Sequence, residues 1–182
     1  RARLVKLYEE HGFFEATVSL QVERDPSRNQ ATVIFLAHEG QPTMLGETEF
    51  IFPPGVARRV WEPRVRDLIP LRPGQRFKLS DYQKAKASLG VGLSNQAHPL
   101  NRVDGQVQVY KKEHRAVVVL RVDPGPRVLF GPVQITGERR IEKNFIIRTL
   151  TFVRGEPFSQ KALDDSQRAL MDRDALAPEY GR

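Results

Sequence analysis

Val118-Val119-Leu120-Arg121-Val122-Asp123-Pro124-Gly125-Pro126-Arg127-Val128-Leu129-Phe130-Gly131-Pro132-Val133-Gln134-Ile135-Thr136-Gly137 runs from a continuous apolar segment, through a proline-glycine turn, into a second apolar segment that opens at a glycine. Proline fixes φ and glycine permits left-handed backbone, so Pro124-Gly125-Pro126 marks a chain reversal or junction between two strands. Sliding the sequence by 85 positions aligns Leu4 to Ile51 with Leu89 to Thr136 without a gap. Val18 then meets Val103, Gln21-Val22 meets Gln106-Val107, Ala31 meets Ala116 and Val33 meets Val118. Gly40 and Gly46 fall on Gly125 and Gly131. A second offset, of 81, carries Gly74 to Gly155, Phe77 to Phe158, Tyr82 to Leu163 and Leu89 to Leu170. The four-residue difference lies between Gly46 and Gly74, a stretch holding Pro53, Pro54 and Pro63. Such self-similarity is the signature of tandem units.

Each unit is legible from its periodicities. Ala16, Val18, Leu20 and Val22 alternate with Thr17, Ser19, Gln21 and Glu23, the pattern of a strand buried on one face. Asp25-Pro26-Ser27-Arg28-Asn29 is turn chemistry. Ala31 to Ala37 and Ala116 to Leu120 are nearly continuous apolar runs, which predicts covered, central strands with the alternating strands at the edge. Glu47 to Phe52, with its repeat mate Val133 to Ile135, reads as another strand reached through a glycine kink. Val56 to Leu68 and Ile141 to Leu150 have helical spacing, with Pro63 expected to interrupt the first. A second helix is expected after Pro73-Gly74, with Ser80 and Gln83 as a capping box, and Ser159, Leu163, Ser166 and Leu170 repeat the arrangement. Gly90-Val91-Gly92 should mark where that helix frays. The unit order is strand, helix, helix, strand, strand.

That order, with a glycine-bearing junction between copies, resembles the POTRA domain. Val118 to Arg127 looks like the exit of its third strand, Phe130-Gly131-Pro132-Val133-Gln134-Ile135-Thr136-Gly137 like its first strand, Gly155 with Phe158 like its approach to the second helix, and Gly12-Phe13-Phe14-Glu15-Ala16-Thr17-Val18 like its entry to the second strand. The motifs are most similar to those of outer-membrane assembly factors of the TamA and BamA kind. The resemblance implies an α+β fold of tandem β-α-α-β-β units, each a three-stranded sheet covered on one face by two helices. It divides the chain into the C-terminal part of one domain (1–42), a complete domain (43–125) and the N-terminal part of a third (126–182). Two departures stand out. The second copy has Ala97-His98-Pro99 in place of Gly12-Phe13-Phe14, so its turn should be made differently, and the region Asp172 to Tyr180 has Pro178 where the glycine should fall.

The 182 residues leave room for one ordinary domain or two to three small ones, and 40% hydrophobic residues suffice for packed cores. The formal charge of +7 favours anionic partners, but basic residues occur as doublets such as Arg58-Arg59 and Arg139-Arg140 among acids, which is a solvated basic surface and no nucleic-acid tail. The aromatics Phe35, Phe50, Phe77 and Phe130 fall on core-type positions, which argues against a stacking surface for nucleic acid. There is no cysteine, hence no thiolate chemistry and no structural zinc site of the usual kind. No apolar run is long enough for a membrane helix, and Arg1-Ala2-Arg3 does not open a signal peptide. His11, His38, His98 and His114 are isolated, and Asp164-Asp165 with Asp172 and Asp174 read as a solvated helix face rather than a cation site. No catalytic residue, metal or cofactor is expected.

Function is therefore expected at a strand edge, where unpaired N–H and C=O groups can add an incoming extended peptide. The first candidate is Val103-Asp104-Gly105-Gln106-Val107-Gln108-Val109-Tyr110 and the second Val18-Ser19-Leu20-Gln21-Val22, within Ala16 to Glu23. The resemblance likewise implies peptide addition to the second strand. It implies unfolded outer-membrane proteins or accessory assembly proteins as partners, a periplasmic location, and a parent protein whose membrane β-barrel lies outside this chain. Anionic lipid headgroups are a secondary expectation from the basic surface. Alternatives are a POTRA array of a two-partner secretion transporter and a structural scaffold without client binding.

Overall fold

A computed structural model describes residues 2–136 and 143–174. In chain order the elements are α1 (Ala2–Glu10), β1 (Thr17–Asp25), β2 (Gln30–His38), β3 (Met44–Ile51), α2 (Arg58–Asp67), α3 (Leu79–Asn95), β4 (Arg102–Tyr110), a 3-10 turn (Lys111–Glu113), β5 (Arg115–Asp123), α4 (Lys143–Thr149) and α5 (Gln160–Asp174). Two compact units divide the described chain: one through Ser88 together with Val103–Arg121, the other Leu89–Arg102 together with the residues from Val122.

The first unit holds two sheets. In one, of order β3-β5-β4, β3 and β5 run parallel and pair Met44 with Arg115 and Thr48 with Val118, with a bulge between Leu45 and Thr48. Parallel strands need a long crossover, and α2 and α3 supply it. The continuous apolar run of β5 is central and buried from Ala116 to Leu120, as the run itself predicts. In the other, β1 and β2 form an antiparallel hairpin in full register from Thr17↔His38 to Asp25↔Gln30. Here the outcome differs. Among the described residues β2 has β1 as its one strand partner, so it is not central, and Phe35 is 51% exposed rather than in a core. On β1, Val18 is buried but Leu20 and Val22 are about half exposed (50% and 48%). The apolar pattern is present in both copies, and among the described residues it is covered in one.

Repetition extends to individual hydrogen bonds. Thr43 N–H donates to Gly12 O at 2.8 Å and Phe77 N–H to Thr43 O at 2.9 Å; their mates are Val128 N–H to Ala97 O at 2.8 Å and Phe158 N–H to Val128 O at 3.0 Å. Gly74 N–H to Leu45 O is likewise repeated by Gly155 N–H to Phe130 O, both at 2.8 Å. The turn expected to differ is the same turn. Gly12 has φ +89° and Ala97 φ +73°, and Phe13 N–H to Tyr8 O is matched by His98 N–H to Leu93 O. Both are left-handed C-terminal helix caps, and Ala97 accepts that conformation at roughly 1 kcal/mol of strain.

Three helix expectations are corrected. Pro63 lies inside an unbroken α2. Its absent N–H would have bonded Arg59 O, and both residues are exposed, so water can take that carbonyl. α3 does not fray at Gly90 but runs to Asn95, with Leu89 and Leu93 fully buried. Asn101 Nδ2 donates to Gly90 O, to Ser94 Oγ and to His98 O, binding the helix end to the turn that follows. Ser80 is within the first turn of α3 rather than its cap, whereas Ser159 Oγ accepts from Ala162 N–H and does cap α5.

In the second unit Asn95 Oδ1 accepts Lys161 N–H at 2.8 Å, and Phe130 stacks on Phe152 with centroids 3.9 Å apart. Ser166 Oγ accepts Thr151 N–H at 2.8 Å, tying the loop before α5 to the helix. Val133 to Ile135 is described but is not a strand; no strand is paired with it among the described residues. The expected start of α4 at Ile141, together with Arg139-Arg140 and Tyr180, lies outside the described residues, as does Pro178.

On α2, Arg58 Nε donates to Glu62 Oε2 at 2.6 Å and Arg66 Nη2 to Glu62 Oε1 at 3.1 Å. These bonds, Arg58's first, hold the Glu62 carboxyl below the ordinary carboxylate range. A lowered folded-state value stabilises the fold above the unfolded-state value and ceases to do so as pH falls through the folded one. Both pairs are solvent-screened, so Glu62→Gln should lower stability at pH 7 by no more than about 1 kcal/mol. Denaturant titrations at pH 7 and below the folded value should show that difference shrinking to nothing; a difference that persisted in acid would refute the ion-pair account.

Candidate peptide-docking edge

β4 ends the sheet on the side away from β3. Four residues, Lys111 to His114, join it to β5, a connection that only antiparallel neighbours can make. Half of its backbone groups therefore pair with β5, and the other half face outward, available to an added strand. Its side chains alternate without exception. Val103, Gly105, Val107 and Val109 are half-buried, while Arg102, Asp104, Gln106, Gln108 and Tyr110 are exposed. On the exposed face Tyr110 Oη donates to Gln108 Oε1 at 2.9 Å, and the Arg115 guanidinium sits 5.0 Å over the Tyr110 ring.

The half-buried face is shaped by Gly105. A Cβ there would come within 2.8 Å of both Leu120 Cδ2 and Tyr82 Oη, so glycine makes room for the Tyr82 ring against the strand. Burial, and secondarily the Asp104 charge, push the Tyr82 hydroxyl above its ordinary pKa. Further along, Val107 and Val109 form one wall of an open cleft of about 290 Å³. Phe14 and Phe77, with centroids 5.8 Å apart, line it, and Lys6, Glu9 and Glu10 of α1 stand among its walls. A strand laid on the open edge of β4 would bring same-face side chains beside Val107 and Val109, next to this cleft.

Both strand stretches singled out from the sequence lie on strands with an open edge among the described residues, but they differ in setting. Val103 to Tyr110 borders a covered sheet and the cleft. Val18 to Val22 belongs to a hairpin whose apolar face, Leu20 against Phe35 and Val22 against Val33, is open. The cleft residues Lys6, Glu9, Glu10, Phe14 and Phe77 were not legible as site residues. They lie far from β4 in sequence, and the sole hint was a second aromatic in Gly12-Phe13-Phe14. Of the histidines, His98 Nδ1 donates to Gly125 O at 3.1 Å, and His114 takes the left-handed position of the turn between β4 and β5 (φ +46°), at 3.7 Å from Glu15. Asp164 accepts from Gln160 and Asp165 pairs with Lys161 and Arg168, which makes them a paired helix surface.

No family model matches the sequence. The structure is similar to POTRA domains 3–5 of Haemophilus influenzae BamA, at 16% identity and a TM-score of 0.59, over 92% of this chain and 65% of that one. It also matches POTRA domains 1–2 of the periplasmic domain of Omp85 from Anabaena, at 15% identity and a TM-score of 0.48, over 74% of this chain and 80% of that one. This chain thus spans about two thirds of the BamA fragment it resembles, and the first of these likenesses carries the assignment of fold. With a strand-helix-helix-strand-strand order, a β3-β5-β4 sheet and junction hydrogen bonds repeated at the 85- and 81-residue offsets, the chain is built of tandem units of the POTRA fold.

Proposed function

We propose that the chain is a periplasmic docking segment of an outer-membrane protein assembly factor, non-enzymatic, that holds extended β-rich polypeptides by adding them as a strand to β4. The supporting observation is the placement of Val103 to Tyr110: an open edge on a sheet whose central strand is buried from Ala116 to Leu120, beside an apolar cleft. Backbone pairing supplies affinity without demanding one client sequence, and the cleft favours an apolar side chain at one position of the added strand. Residues 43–125 form the complete unit in this reading, and the parent protein carries a membrane β-barrel beyond it. Accessory assembly proteins could use the same edge by the same chemistry.

A proline scan tests it. Because N–H groups along β4 alternate between β5 and the open edge, prolines in one phase (Gln106, Gln108) and the other (Val107, Val109) should behave oppositely. One phase should lower Tm; the other should keep Tm and abolish binding of a synthetic peptide of alternating apolar and polar residues, measured by fluorescence anisotropy. Binding that survives every folded proline variant would sink the edge mechanism, and an unmodified chain that binds no such peptide would leave a scaffold role.

A further inference from the structure

The basic charge of the chain is concentrated in one stretch. Residues 55–78 hold seven basic and two acidic side chains, a net +5 of the chain's +7. Helix α2 lies at the centre of that stretch, with Arg58, Arg59, Arg64 and Arg66. Glu62 pairs with Arg58 at 2.6 Å and with Arg66 at 3.1 Å, and Glu47 stands 3.7 Å from Arg66. Arg59 and Arg64 are exposed and have no carboxylate partner among the described residues. A first turn that carries Arg58 and Arg59 and no acid also runs against the helix dipole, so the stability of the helix does not account for this charge.

Between the two unpaired arginines the helix is apolar. At about 100° per residue Arg59 and Arg64 lie roughly 140° apart around α2, with Pro63 and Val60 between them. The one acid on that side, Asp67, is in the last turn. Val60 is 50% exposed, whereas Val65 on the opposite side is sealed in the core. Trp61, the chain's single tryptophan, is half-buried, with the Arg64 guanidinium 5.4 Å over its ring. An exposed valine and a tryptophan set among unpaired arginines match the layers of a lipid surface, where phosphates take guanidiniums and the level beneath takes apolar groups and indole rings. A helix face is convex, and the clefts at Phe14 and Phe13 include no residue of α2, which suits a broad layer of phosphates better than an extended acidic peptide.

We propose that α2 docks on the headgroup layer of an anionic phospholipid membrane, Arg59 and Arg64 pairing with phosphates and Val60 and Trp61 resting at the level just beneath. The contact uses one face of α2 and does not depend on strand addition at β4. Its two parts act together: the arginines supply an attraction that salt screens, and the valine and indole supply a contact that salt does not.

The single tryptophan makes the test local, since all indole emission comes from α2. The full 182-residue chain should cosediment with vesicles of equal parts phosphatidylglycerol and phosphatidylcholine and not with vesicles of phosphatidylcholine alone, and binding should shift Trp61 emission to shorter wavelength. Arg59→Gln/Arg64→Gln should keep Tm and weaken vesicle binding by about tenfold or more. Lys111→Gln/Lys112→Gln removes the same charge from the exposed turn between β4 and β5, and should weaken it by less than about threefold. Val60→Ser should retain the salt-sensitive attraction and reduce the emission shift. The proposal is overturned if the chain ignores anionic vesicles at low salt, if it binds them with Trp61 emission unchanged, or if the lysine pair matters as much as the arginine pair. It is overturned equally if polyglutamate shifts Trp61 emission as the vesicles do, which would make α2 a site for acidic protein.

Discussion

Replacing Leu120 by alanine is expected to lower the stability of the unit containing β5 by about 3 to 4 kcal/mol, through lost transfer free energy and the cavity left behind. Leu120 is fully buried on the central strand, and Ala116, Val118 and Val119 beside it leave little that can relax into the gap. The same residue touches the candidate edge, because Gly105 of β4 lies against its Cδ2 position. The expected result in a urea titration is a lower midpoint with an unchanged slope. A loss under about 1 kcal/mol would mean that the site collapses freely, contrary to the close packing described.

The second large effect is expected at Gly12. A Cβ there would sit 2.3 Å from Phe77 O, a backbone atom that cannot move aside without dragging the start of α3, and the backbone is at φ +89°. Gly12→Ala should therefore cost at least about 3 kcal/mol, combining left-handed strain with a steric collision. Ala97, at the equivalent turn, already carries a Cβ at φ +73°, so Ala97→Gly should change stability by no more than about 1 kcal/mol, on the stabilising side if relief of strain outweighs the entropy of glycine. Hydrogen exchange at Thr43, whose N–H donates to Gly12 O, reports the first change locally. Equal tolerance at both turns would show that the Phe77 carbonyl does not set the difference.

These two turns also show what a sequence alignment hides. Read as residue types, Gly12-Phe13-Phe14 and Ala97-His98-Pro99 share nothing, yet the backbone hydrogen bonds around them are the same. The requirement is for a left-handed residue after a helix, which glycine meets without strain and alanine meets with it. Proline inside α2 and glycines inside α3 are similar cases. Each weakens a helix locally, and each is outweighed where the exposed carbonyl is hydrated or where Leu89, Leu93 and Asn101 fix the segment.

From the sequence alone came the repeat and its two offsets, the strand and helix character of most segments, the left-handed glycines of the junctions, and the alternation that marks Val103 to Tyr110 as an edge strand. All of these depend on local backbone preference or on the period of apolar residues, which neighbours in the chain carry. Tertiary structure alone decided which apolar faces are covered. Ala31 to Ala37 and Ala116 to Leu120 have the same pattern, but among the described residues the second is sealed and the first is open, because burial depends on which remote segments pack on a face and not on the period within it. The cleft beside β4 is of the same kind: α1 and Phe77 reach it from opposite sides of the sequence, and no period within either segment records the meeting.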